Sequence, residues 1–129
     1  MAYVDIVTAL AILQFIVFGY KVARARGRYG IKAPAVAGNE IFERYFRVQQ
    51  NTLEQLLAFL PSIVLFSRYF SPYLAAALGV VYLIGREIFA FTYVKEPAKR
   101  ELGFTLTLLP TAILLIGGLF GAARSLVLG

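Results

Sequence analysis

The chain has 129 residues, of which 60% are apolar, 15% aromatic and 16% charged, and its mean hydropathy is +0.74. Soluble domains average about 45–50% apolar and about 25% charged residues, and a chain this short has too little polar material to cover a soluble fold. A soluble globule, a disordered chain and a disulfide-rich scaffold are thereby excluded, and most of the chain reads as solvated by lipid. A net charge of +6 would suggest nucleic acid in a soluble protein; here it fits basic loops on the cytoplasmic side of a membrane. The chain has no Cys and no His. It therefore lacks a thiolate nucleophile, a sulfur-ligated metal and the commonest acid–base side chain, and no metal is expected.

Four apolar segments predict four transmembrane helices in one domain over residues 1–129, at about 3–23, 41–67, 72–94 and 102–124. None alternates with period two, and backbone polar groups in lipid must pair within the segment, so helices are expected and strands are not. The fold class is an all-α integral membrane protein, an up-down bundle of four helices. The first segment has Asp5 and no basic residue in its amino-terminal flank, and its apolar run is long for a signal peptide, so it reads as a retained span. Pro61 and Pro110 fall inside the second and fourth helices, where packed neighbours can accommodate them. Pro72 suits the first turn of the third. Gly117, Gly118 and Gly121, with Ala122 and Ala123, form a small-residue face that either admits a close helix or reflects the general tolerance of Gly in membranes.

Arg24, Arg26, Arg28 and Lys32 lie between the first two segments, and Lys95, Lys99 and Arg100 between the last two. The other side holds only Arg68 and Arg124. The positive-inside bias therefore places both basic loops in the cytoplasm and both termini outward. This brings the start of helix 2, the end of helix 3 and the start of helix 4 to one membrane face. Helix 2 opens with a polar run in which Arg44, Arg47, Asn51 and Glu54 fall at about 0°, −60°, −20° and −80° around the axis. Ionisable groups at membrane depth are costly and face a bundle interior or a wet cavity. An ion-pair ladder that only fixes packing is one reading of this face. Its net positive sign favours the other, a site for a small anionic or zwitterionic molecule. Arg86 and Tyr93, about 20° apart on helix 3, meet the same membrane end, as does Arg100. Arginine beside a thiol stabilises the thiolate, and a chain without Cys must take that thiol from a substrate.

The stretch Phe42-Glu43-Arg44-Tyr45-Phe46-Arg47-Val48-Gln49-Gln50-Asn51-Thr52-Leu53-Glu54 resembles the helix 2 signature of the membrane-associated proteins in eicosanoid and glutathione metabolism, the MAPEG family. The Arg-rich loop at 23–34, the stretch Gly85 to Tyr93 and the loop Glu96-Pro97-Ala98-Lys99-Arg100 extend the similarity over nearly the whole chain, closest to microsomal glutathione transferases. The resemblance implies a homotrimer with glutathione bound as co-substrate at subunit interfaces, near the cytoplasmic face. It implies glutathione contacts from Arg47, Gln49, Asn51, Glu54, Arg86 and Tyr93, with Glu54 facing the amino group, and assigns Arg100 to the thiolate. Arg26 is the best match for a first-loop arginine of the site, with Arg24 and Arg28 as alternatives. Gln55 and Phe89 stand where some members carry Tyr, which weakens any specific claim to leukotriene synthesis.

The expected function is a glutathione transferase acting on hydrophobic electrophiles that arrive from the bilayer, with reduction of lipid hydroperoxides as a further activity. A bacterial inner membrane fits the short loops. The rivals are a non-catalytic, lipid-binding or scaffold member of the same fold and a small four-helix drug exporter. The exporter ranks low because such proteins need a membrane-embedded carboxylate in helix 1, where only Asp5 stands, at its edge.

Overall fold

Each turn between the apolar segments carries the chemistry that ends one helix and starts the next. In the computed structural model, which describes residues 1–129, the order is α1 (Ala2–Tyr29), α2 (Glu40–Tyr69), α3 (Pro72–Lys95), a single 3-10 turn at Pro97–Lys99, and α4 (Glu101–Leu128). Helix α1 ends at Gly30, whose φ of 68° is the left-handed conformation glycine adopts without steric cost. Its N–H closes the helix on the Arg26 carbonyl. Asn39 caps α2, its Oδ1 accepting from the Phe42 N–H at 2.9 Å. Ser71 caps α3 by accepting from the Tyr73 and Leu74 N–H groups, and Pro72 fills the first turn, where no donor is needed. Helices α2 and α4 run through Pro61 and Pro110 without a break.

Helices α2 and α3 form the middle of the bundle. Each packs against the other, against α1 and against α4, which leaves α1 and α4 on opposite flanks. The central core joins Val4, Val7 and Ala11 of α1 to Phe59 and Ile63 of α2, Tyr82 of α3 and Leu114 of α4. Tyr82 is fully buried and stacks on Phe59, with ring centroids 3.8 Å apart. At one end Tyr3 meets Tyr73, and α4 meets the last turn of α2. At the other, Arg44 of α2 reaches the last carbonyls of α3. The helices therefore alternate in direction.

Three helices, α1, α3 and the stretch Pro97–Leu128, are long and apolar enough to cross a membrane. Helix α2 has the length, 30 residues, but its first half carries the polar run that the other three lack. Packing against the neighbours gives Arg44, Asn51 and Thr52 of that run protein partners, while Arg47 and Glu54 stay exposed. The small-residue face of α4 is used within the chain: a Cβ at Gly118 would stand 2.8 Å from the Cβ of Leu65 on α2. On the other side of α4, a Cβ at Gly85 of α3 would meet the Leu106 backbone at 2.7 Å. Glycine there lets α3 and α4 close together beside the polar residues described next.

Candidate functional site

Arg47 and Asn51 of α2, Phe89 and Tyr93 of α3, and Arg100 and Phe104 at the start of α4 line one cavity of about 280 Å³. Three separated stretches of sequence thus meet at one end of the bundle. The spacing on each helix explains how: Arg47 and Asn51 are four apart on α2, Phe89 and Tyr93 four apart on α3, and Arg100 and Phe104 four apart on α4, so each pair shares one helix face. The Phe89 and Tyr93 rings stack at 5.4 Å. The lining holds two guanidinium groups, an amide and a phenol, and no carboxylate. Arg47 and Arg100 make no ion pair. The ion pairs within the chain are Arg44–Glu40 at 2.6 Å and Lys99–Glu96 at 3.3 Å. From Arg47 to Glu54 the helix 2 face is therefore not a self-neutralising ladder, and the cavity carries positive charge with no acid among its walls to offset it.

Arg86 does not line the cavity; it lies behind it. It is fully buried, and its guanidinium joins three helices. Its Nε donates to Thr107 Oγ1 at 2.9 Å, and its Nη1 donates to Asn51 Oδ1 at 2.7 Å and Thr52 Oγ1 at 3.1 Å. The guanidinium also stacks over the Phe89 ring at 4.4 Å. Both threonines accept from Arg86 while donating to carbonyls of their own helices, Val48 and Gly103. One consequence reaches the cavity: with Oδ1 of Asn51 held by Arg86, the amide turns its NH₂ donors away from Arg86. Thr52 and Thr107 were invisible as partners in the sequence. The available signal was that α4 has almost no polar side chain at this depth except threonine, and that Arg86 has no carboxylate at helical spacing on its own face.

The remaining candidate residues stand elsewhere. Arg26 folds the loop between α1 and α2, donating to the Ala35 carbonyl at 2.6 Å and lying 4.9 Å over the Phe42 ring. Arg24 and Arg28 border a separate cavity with Lys21. Gln49 packs toward α1, where a Cβ at Gly19 would meet its Nε2 at 2.8 Å. Glu54 is exposed and has no ion-pair partner. Arg44, on the predicted helix 2 face, secures the end of α3 through the Val94 carbonyl at 3.0 Å and pairs with Glu40.

The model of the MAPEG family matches residues 4–120. The chain belongs to the MAPEG family. This MAPEG protein is 48% identical over 114 residues, 88% of its own length and 83% of the relative's, to an uncharacterized protein of Synechocystis sp.. It is 37% identical over 119 residues to microsomal glutathione S-transferase 2 of Homo sapiens, covering 92% of this chain and 81% of that one. With leukotriene C4 synthase of Cavia porcellus it shares 32% identity over 100 residues, 78% of this chain and 67% of the relative. Family membership and three apolar helices of spanning length make it an all-helical membrane protein.

Proposed function

We propose that this MAPEG protein is a membrane-bound glutathione transferase that joins the glutathione sulfur to hydrophobic electrophiles, with reduction of lipid hydroperoxides as a second use of the same thiolate. The observation that carries the reading is the cavity shared by Arg47, Asn51, Tyr93 and Arg100, cationic and without an acid of its own. Its likeness to microsomal glutathione S-transferase 2 over most of both chains supports the transferase class. Arg47 would pair with a glutathione carboxylate. Asn51, its oxygen held by Arg86, would donate to a second acceptor of the peptide. Arg100 would donate to the sulfur and favour the thiolate. Tyr93 would close the pocket on its aromatic side. In conjugation the thiol proton passes to water, the sulfur forms a bond to the electrophilic carbon, and the carbon–leaving-group bond breaks.

The cavity lies just below the usual range of ligand pockets, about 300–1,000 Å³. Arg47 and Glu54, about 20° apart on α2, both point away from the chain's own core. Both features support a site that a neighbouring protomer completes, in the homotrimer that the family resemblance implies. Gln49, and Arg26 or another first-loop arginine, would reach across that interface, while Glu54 receives the amino group of glutathione. In this reading Arg86 acts through Asn51 and is a positioning residue. The excess of basic residues at this end supports a site at the cytoplasmic face with both termini outward, and the short loops fit a bacterial inner membrane.

The test is turnover of the purified protein with glutathione and two acceptors, a chlorodinitrobenzene and a lipid hydroperoxide, beside crosslinking to count subunits. Conjugation with a glutathione-dependent thiolate absorbance supports the assignment. Glutathione binding without turnover of either acceptor would instead mark a non-catalytic member of the fold.

A further inference from the structure

We infer that a second binding site, for an anionic phospholipid, lies between α1 and α3 at the same end of the bundle but on another side of α2. A groove of about 480 Å³ is walled by Phe18 of α1, Val48 of α2, and Ala90, Phe91 and Val94 of α3, with Lys21 and Lys95 among its lining. Two further hollows adjoin it. One, of about 340 Å³ and mostly polar, shares Lys21 and Tyr45 and adds Arg24 and Arg28. The other, of about 440 Å³ and apolar, shares Glu87 and continues down between α1 and α3 past Leu13, Val17 and Ile84. A cluster of cations thus opens into a continuous apolar track in a membrane protein.

The charges favour an anionic headgroup. Lys21, Arg24, Arg28 and Lys95 make no ion pair with any carboxylate of the chain. Lys21 and Lys95 instead rest over the Phe18 and Phe91 rings, at 5.8 and 5.7 Å, on the walls of the groove itself. The one acid among the walls, Glu87, accepts from Gln14 Nε2 at 3.1 Å and lies about two helical turns further down α3 than Lys95. It therefore sits below the cations, at the depth of the chains and away from the headgroup. Four cations above a single acid match a phosphodiester, and basic pockets between membrane helices on the cytoplasmic side are fitted to such headgroups. A free phosphate would leave the apolar groove unfilled. A second copy of the chain is disfavoured by charge: it carries the same net +6, whereas a groove headed by unpaired cations asks for an anion. The inference rests on the membrane location and the cytoplasmic orientation proposed above, and does not depend on glutathione chemistry.

The full-length protein, stripped of lipid in neutral detergent, would be titrated with phosphatidylglycerol and with phosphatidylcholine of the same acyl chains. Bound lipid would be counted by native mass spectrometry. Phosphatidylglycerol should bind preferentially, and Lys21→Gln/Lys95→Gln should weaken it by about tenfold or more. Lys32→Gln/Lys99→Gln, which removes equal charge outside the groove, should leave it within about twofold. Val94→Trp, which fills the groove and keeps every charge, should weaken both lipids. Equal losses in the two charge-removal variants would reduce the effect to diffuse surface charge and overturn the site. Full competition by glycerol phosphate would show a free-anion site, and zero-length coupling of Lys21 or Lys95 to a neighbouring protomer would show the groove covered by a second copy. Either result also overturns it.

Discussion

Arg86 and Arg100 are the same residue type, fourteen positions apart at one end of the same bundle, and they do opposite things. Arg86 is fully buried and bonded to α2 and α4 through Asn51, Thr52 and Thr107. Arg100 is exposed, lines the cavity, and has only the nearby Pro97 carbonyl, at 3.3 Å, as a partner. A cation most of whose donors are matched inside the protein, as in Arg86 where Nη2 alone of the nitrogens lacks a partner, holds helices together. One whose donors are unmatched is available to a ligand. The hydrogen-bond inventory separates the two roles, and residue identity does not.

Four substitutions would break or sharpen that contrast, the largest effect first. Arg86→Ala should destabilise the protein by about 2–4 kcal/mol, through the void it leaves and the acceptors it abandons. Thermal unfolding in detergent measures this, and Arg86→Met, which restores volume, should recover part of the loss. If Arg86→Ala melts like the parent protein, Arg86 is not the tie between α2, α3 and α4. Arg100→Leu should leave the melting temperature nearly unchanged and lower turnover about a hundredfold, near 2.7 kcal/mol of transition-state stabilisation. Loss of the thiolate absorbance would accompany it. Unchanged turnover would move the sulfur-stabilising role away from Arg100.

Asn51 belongs to both regions, since it lines the cavity and accepts from Arg86. Asn51→Ala should therefore weaken glutathione binding about tenfold and also cost about 1 kcal/mol of stability. Isothermal titration and thermal unfolding separate the two losses, and a pure stability effect would remove Asn51 from the site. Arg44→Met is the smallest change. Arg44 shares the polar face of Arg47 in sequence but bonds to the end of α3 and to exposed Glu40. Its loss should cost about 1 kcal/mol or less and leave the KM for glutathione unchanged. A raised KM would place Arg44 in the site after all.

Much of the site could be read from spacing. The four-residue interval between Arg47 and Asn51 and the alternation of helix directions place these residues beside Tyr93 and Arg100, as expected from the basic loops. Gln49 and Arg26 show where that reading weakens. Gln49 is only two residues from Arg47, but two residues turn a helix by about 200°, so it faces α1. Arg26, read in the sequence as a loop residue, falls in the last turn of α1, and its Nη1 is taken by the Ile31 and Ala35 carbonyls of the loop that follows. Thr107 showed only that threonine is nearly the sole polar side chain of α4 at its depth, and spacing could not name its partner, 21 residues away on another helix.

By itself the sequence determined the four helices, their alternating course and the gathering of polar groups at one end, since hydropathy, caps and period act over a few residues and need no neighbour. Only the tertiary structure decided which arginine is tied and which is free. That depends on how far each helix is rotated toward the next and on glycines such as Gly85 that let backbones approach. A hydrogen bond is made or missed over about 1 Å, a margin set by side chains that lie far apart along the chain.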